Sequence, residues 1–230
     1  MRHNKNNDAL QSIASLVLVA PRLQVLYTPT PKAACTTIKL MLATAEGTHN
    51  PDVANKLAVM HVSHAQTIHH PQVNGLRTLA NFSTRKQRQM LNSPDWLRVT
   101  SLRDPVSRAY SSWENRILMR AHRRTTRLAD LAHDIHTDGQ LDLAASFSHF
   151  AKVLGENTEV FMTDHHFLPQ AALTRPDLID YTTKVRVDQP GELSTLAQLL
   201  TVRSGKTIAP QRLNEGLGMP VDRVCDIDTA

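Results

Sequence analysis

Leu23-Gln24-Val25-Leu26-Tyr27-Thr28-Pro29-Thr30-Pro31-Lys32-Ala33-Ala34-Cys35-Thr36-Thr37-Ile38 is the stretch that decides the fold. Its first five residues are apolar and β-prone, and Pro29 and Pro31 break the strand. Ala34, Ile38, Met41, Leu42 and Ala45 then fall on one side of a helix over 34–45. The same order returns further on. Trp96 to Ser101 reads as a strand, and Asp104-Pro105 starts a helix, since proline lacks only a hydrogen that is unpaired there. Val106, Ala109, Tyr110, Trp113 and Ile117 supply that helix with an apolar stripe. Thr158 to Thr163 is a third strand candidate. Ile179 to Val187 is a fourth, followed through Pro190 by the helical pattern Leu193 to Leu200. Strands alternating with helices predict an α/β fold with a mostly parallel central sheet flanked by helices. Between these units, Gly47 to Gln72 is rich in His and turn residues, and its secondary structure stays open.

With 230 residues, 41% hydrophobic, 4% aromatic and 20% charged, the chain has the balance of one globular domain over 1–230, with 1–22 set apart as a peripheral N-terminal segment. Disordered, collagen-like and coiled-coil readings fall away. A net charge of +5 favours an anionic partner, and charge alone leaves nucleic acid, nucleotide and acidic glycan open. Cys35 and Cys225 are the only cysteines, too few for a disulfide framework or a multi-cysteine metal site, which suits a reducing compartment. The apolar run Leu16 to Pro21 is far shorter than the roughly 20 residues that cross a bilayer, and it lacks a convincing signal-cleavage site. The reading is a chain without a transmembrane anchor.

Two segments have the makings of anion sites. The turn before Cys35 leads into a helix whose first amides lack internal acceptors, so a phosphate or sulfate is favoured there. Lys32 adds a full charge, and Thr36 and Thr37 add hydroxyl donors. No glycine occurs between Met1 and Glu46, which excludes the GxxxxGK[ST] loop of ordinary ATPases and GTPases. A surface lysine beside two capping threonines explains the same letters. In the second segment Arg103 lies at a strand end and Ser111 two helical turns on, while Arg108 stands i+4 from Asp104 in position for an ordinary ion pair. Helix capping plus that pair is the competing account. In one parallel sheet successive strand ends share an edge, so Lys32 and Arg103 are placed to hold opposite ends of one elongated dianionic ligand.

These residues resemble the carbohydrate sulfotransferase family that includes the chondroitin and HNK-1 type enzymes. Thr30-Pro31-Lys32-Ala33-Ala34-Cys35-Thr36-Thr37-Ile38-Lys39 is similar to its 5′-phosphosulfate loop. Leu102-Arg103-Asp104-Pro105-Val106-Ser107-Arg108-Ala109-Tyr110-Ser111 is similar to its 3′-phosphate motif. His166-Phe167-Leu168-Pro169-Gln170 after Asp164 resembles a late motif, with Phe167 where tryptophan is common, and Arg212 to Asn214 is a weak echo of a cofactor-facing loop. The resemblance implies a P-loop-like nucleotide sulfotransferase fold. It also implies 3′-phosphoadenosine-5′-phosphosulfate (PAPS) as donor and 3′-phosphoadenosine-5′-phosphate (PAP) as product. Lys32, Ala33, Ala34, Cys35, Thr36 and Thr37 would hold the 5′ end, with Arg103 and Ser111 on the 3′-phosphate. The implied acceptor is a hydroxyl of a carbohydrate or glycoconjugate, acidic ones included. Members anchored in the Golgi carry a membrane span, so this chain reads as a cytoplasmic or otherwise soluble, bacterial-type relative.

Lys32 is also the expected catalytic charge, opposing negative charge on the leaving oxygen. Related enzymes place a catalytic histidine in the region of Val59-Met60-His61-Val62-Ser63-His64, and His64, with His61 as alternative, is the expected base. Two surface histidines in a loop is the plain alternative. His69-His70 and His165-His166 lack HExxH or a diagnostic partner spacing, so no metal is expected, and His166 is assigned to the cofactor or acceptor wall as an acceptor contact, with ordinary fold support beside Pro169-Gln170 as the other account. Arg116, Arg120, Arg123 and Arg127 form one stripe if the helix continues, with Arg116 and Arg120 as acceptor contacts; a solvated basic face is the other account. Sparse aromatics and the lack of a zinc-finger or single-strand motif argue against nucleic acid. The rival functions are a non-catalytic anion- or glycan-binding module and an atypical nucleotide-dependent phosphotransferase. Oligomeric state is not encoded.

Overall fold

The computed structural model describes residues 10–59, 64–119 and 126–211; the side chains of 64, 126, 127 and 129 are outside that description. In chain order the elements are β1 (Leu18–Ala20), β2 (Val25–Thr28), α1 (Cys35–Glu46), α2 (Pro51–Val59), α3 (His64–Thr67), α4 (Pro71–Asn74), β3 (Arg77–Thr78), α5 (Thr84–Asn92) and β4 (Leu97–Leu102). They continue with α6 (Pro105–Trp113), α7 (Thr126–Leu131), β5 (His136–Thr137), β6 (Gln140–Leu141), α8 (Leu143–Glu156), α9 (Thr158–Phe161), α10 (Gln170–Thr174), β7 (Thr183–Arg186) and α11 (Glu192–Ser204). Two compact units divide them, one holding 10–102 with 170–211 and the other 103–169.

The first unit is built on a five-stranded sheet of order β3-β1-β2-β4-β7. β2 pairs parallel with β4, Thr28 opposite Thr100, and β4 pairs parallel with β7, Leu102 opposite Arg186. β1 runs antiparallel to both β2 and β3. All four β2 residues are buried because the sheet is covered on both faces. Strand alternation sends Val25 and Tyr27 into a core with Ile38, Met41 and Leu42 of α1 and Leu196 and Leu200 of α11. It sends Leu26 to the other face, among Ile13, Val17, Leu79, Met90 and Trp96. Full burial of side chains such as Ile38 and Leu42 contributes about 1.5–3 kcal/mol each, so the apolar face read from 34–45 is what fixes α1 to the sheet. α1 stops at Gly47, whose left-handed φ of 83° lets its N–H reach Ala43 O and Thr44 O.

Residues 10–20 correct the expectation of a peripheral N-terminal segment. Ile13, Ala14, Val17, Val19 and Ala20 are buried, and β1 supplies a strand to the sheet. A run too short for a membrane is long enough for a core strand. The open stretch 47–72 resolves into the helices α2, α3 and α4 where it is described.

The second unit carries an aromatic core. Four of the chain's five phenylalanines, Phe147, Phe150, Phe161 and Phe167, pack with Tyr110 and Trp113. Thr158 to Thr163, expected as a strand, is helical over Thr158–Phe161. Thr158, Val160, Phe161 and Thr163 are β-prone one by one, but no central-sheet strand in this unit offers them an edge. Phe161 instead sits edge-on to Phe150 and Phe167, at centroid distances of 5.7 and 5.4 Å.

Candidate functional site

The chain leaves β2 at Thr28 and turns through 29–34 into α1. Two non-glycine residues of this turn, Lys32 (φ 65°) and Ala34 (φ 53°), are left-handed, while Ala33 between them is not. The Ala33 N–H closes the turn onto Thr30 O at 3.2 Å. A left-handed non-glycine residue costs roughly 1–2 kcal/mol, so the turn holds a strained shape that glycine would adopt without strain. The sequence lacks the glycines of the familiar phosphate loop, yet the turn is left-handed at two positions without them. Ala34 is the N-cap of α1 and makes no side-chain cap, so the helix start keeps its positive end for another group. Thr30 Oγ1 is buried without a partner in the same turn, an orphan that costs about 1–3 kcal/mol. An orphan hydroxyl, an uncapped helix end and Lys32 together fit an anionic group.

The two threonines differ. Thr37 Oγ1 donates to the carbonyl of Gln211 at 3.0 Å, which commits its proton to the backbone. Thr36 is buried, and its Oγ1 lies 3.2 Å from His69 Nε2. Lys39 Nζ is 3.0 Å from His69 Nδ1. Burial lowers the Lys39 ammonium from its ordinary range, against a smaller upward effect from Cys35. Cys35 opens α1 as a half-buried free thiol. Sequence reading missed His69 and left Lys39 unassigned, because no spacing rule connects positions so far apart in the chain.

The parallel pairing of β2 and β4 brings their C-terminal ends to one sheet edge. Thr100 Oγ1 donates to Thr28 O at 3.0 Å, and Tyr27 OH meets Ser101 Oγ at 3.1 Å. Burial, partly offset by the Ser101 bond, pushes the Tyr27 phenol well above its ordinary pKa, so it stays protonated and ties the strands. Arg103 follows Leu102 directly.

In the second unit Asp104 caps α6, its Oδ1 accepting from Ser107 N at 2.8 Å, with Pro105 at the first helical position, as the sequence predicts. The Ser107 amide bond, with a contribution from Arg103, holds the Asp104 carboxyl below its ordinary pKa. Arg103 and Ser111 are half-buried. Arg108 directs its guanidinium to the carbonyls of Leu168 and His166 at 2.9 and 3.1 Å, and Ser112 Oγ donates to His166 O at 3.0 Å. These bonds brace the segment 164–168 against α6.

His166 Nδ1 lies 2.7 Å from Asp164 Oδ1, and Arg116 holds Oδ2 through Nε at 2.8 Å. Burial, offset in part by Asp164, lowers the His166 pKa to about 4. Burial works the other way on Asp164, but hydrogen bonds from His166 and Arg116 hold it well below the carboxylate range. With Nδ1–H donated to Asp164, neutral His166 carries its lone pair on Nε2, suited to accept from a hydroxyl. Asp164, His165 and His166 bring donor atoms within 4.8 Å of one another, but both Asp164 oxygens are already engaged by His166 and Arg116, and the guanidinium repels a cation.

Arg116 corrects the basic-stripe expectation. It is buried and paired with Asp164, and the π-helical turn Glu114–Leu118 breaks the helical register on which the stripe depends. Its charge is spent inside the protein and is not presented to an acceptor. Arg120, Arg123, Arg124, His61 and Arg212 to Asn214 lie outside the described residues, and His64 is the first residue of α3. No helix among the described residues is long and apolar enough to cross a membrane.

A family model described as the sulfotransferase family matches residues 15–215. No curated protein and no solved structure gives a significant match.

Proposed function

Because the chain belongs to the sulfotransferase family, we propose that its sulfuryl donor is PAPS and its acceptor a hydroxyl of a carbohydrate or glycoconjugate. The observation that carries the donor reading is the strained turn at Lys32 and Ala34, with an uncapped helix start and an orphan Thr30 hydroxyl in a segment rich in anion-binding groups. Lys32, Ala33, Ala34, Cys35 and Thr36 bind the 5′-phosphosulfate, Thr37 contributing through its backbone, and Arg103 with Ser111 binds the 3′-phosphate. The carbohydrate acceptor rests on the resemblance of the three motifs.

In transfer, a new bond forms between the acceptor oxygen and sulfur while the bond from sulfur to the 5′-phosphate oxygen breaks, and the hydroxyl proton passes to a base. Lys32 stabilises the charge that grows on the departing oxygen. His64 is the proposed base, with His61 as alternative. His166 presents Nε2 to an acceptor hydroxyl, and Arg120 is retained as a contact for an acidic acceptor. Substitution His64→Ala lowers turnover and leaves nucleotide affinity intact; near-normal transfer removes it from the base role.

Calorimetry with PAP and with adenosine 5′-phosphate tests the donor. A strong preference for PAP supports Arg103 and Ser111 as the 3′-phosphate site, and equal affinity removes that assignment.

A further inference from the structure

We infer that His69, held from behind by Lys39, is a positioning residue that sets Thr36 as a hydrogen-bond donor to the 5′ anion of the donor nucleotide; this rests on the donor reading above. An ammonium has only protons to give, so the 3.0 Å contact from Lys39 Nζ makes His69 Nδ1 the acceptor. The neutral ring then carries its proton on Nε2, and that N–H donates to Thr36 Oγ1 at 3.2 Å. With a ring N–H on its oxygen, the hydroxyl is set to act as a donor, the polarity an anion requires.

The geometry also says what His69 does not do. Both ring nitrogens are engaged, one by Lys39 and one by Thr36, so His69 is not a base awaiting a substrate proton. A protonated ring would turn a second N–H against the ammonium. His70 next door has a separate task, its Nδ1 accepting from Gln72 N as the cap of α4. The pair that looks like a metal motif in the sequence is divided between the donor turn and a helix cap. Lys39 is one helical turn beyond Thr36 on α1, so one rigid element carries both ends of the relay.

The test is titration calorimetry of PAP and of adenosine 3′-phosphate, which lacks the 5′ anion, with wild type, His69→Ala, His69→Gln, Thr36→Val and the double variant His69→Ala/Thr36→Val. His69→Ala is expected to weaken PAP binding about three- to tenfold and to leave adenosine 3′-phosphate unchanged. A glutamine amide spaces its oxygen and nitrogen much as the imidazole spaces its two nitrogens, so His69→Gln restores most of the affinity. In the Thr36→Val background the His69→Ala effect disappears. Unchanged PAP affinity in His69→Ala, or an equal loss for both nucleotides, overturns the inference. Nitrogen NMR of the ring is expected to show Nε2–H; an Nδ1–H tautomer overturns the positioning role while leaving the donor reading in place. Wild type that binds no PAP overturns the donor reading and the role of His69 with it.

Discussion

The two helix starts offered as anion sites are built in opposite ways. α1 begins at Ala34, which contributes no side-chain cap, after a turn with two left-handed non-glycine residues. α6 begins at Asp104, whose carboxylate already fills the Ser107 amide, and Pro105 removes another N–H. The first start is left open by its own cap, with a lysine in the turn before it. The second has satisfied itself, and a carboxylate stands where a phosphate would otherwise sit. Any anion held near α6 must be held by the side chains of Arg103 and Ser111, not by the helix end. A helix N-terminus is an anion site only when its own cap leaves it open.

Substitution should separate the two. Lys32→Ala has the largest expected effect, a fall in turnover of about 10²–10³-fold measured by PAP formation, since it removes the charge facing the departing oxygen. Arg103→Ala should weaken PAP by about tenfold or more and leave adenosine 5′-phosphate unaffected, which would show side-chain recognition at α6.

Acid unfolding probes the segment braced on α6. His166 titrates at about 4 in the fold against 6.5 ordinarily, so between those values the unfolded chain takes up a proton that the folded chain refuses. Stability should fall as the pH drops through that window, and His166→Gln should flatten the fall. Asp164, held below its ordinary value, adds stability above about pH 4 that is lost on further acidification. A variant curve parallel to wild type between pH 6.5 and 4 would remove His166 as the cause.

Smaller effects sharpen the contrast in capping. Asp104→Ala should cost about 1 kcal/mol, seen as a melting point lower by about 2–4 °C, with PAP affinity unchanged or improved because a carboxylate has gone. Ala34→Gly should leave stability level or raise it by up to about 1 kcal/mol, because relief of the left-handed strain offsets the entropy of glycine. A clear loss of stability there would mean that the methyl group, and not the backbone conformation, matters at that position.

Much of the frame was legible along the chain. The strand, turn and helix around Lys32, the helix start at Asp104-Pro105 and the strand at 97–102 follow from local spacing and capping, which act within a few residues. The strand expected at Thr158 to Thr163 fails because β propensity reports fitness for a sheet edge, and Phe161 found an aromatic cluster instead. Arg116 looked like one of a row of surface charges, and only Asp164 beside it reveals an internal pair.

By itself the sequence determined where the candidate anion-binding residues stand and which strands carry them to a sheet edge, since periodicity and turn chemistry are local. Tertiary structure alone decided which of those groups are committed elsewhere: Thr37 to a carbonyl, Arg116 to Asp164, His69 to Thr36 and Lys39. The reason is physical. A hydrogen bond between residues distant in the chain leaves no periodic mark on the sequence, yet it determines whether a side chain still has a proton to offer.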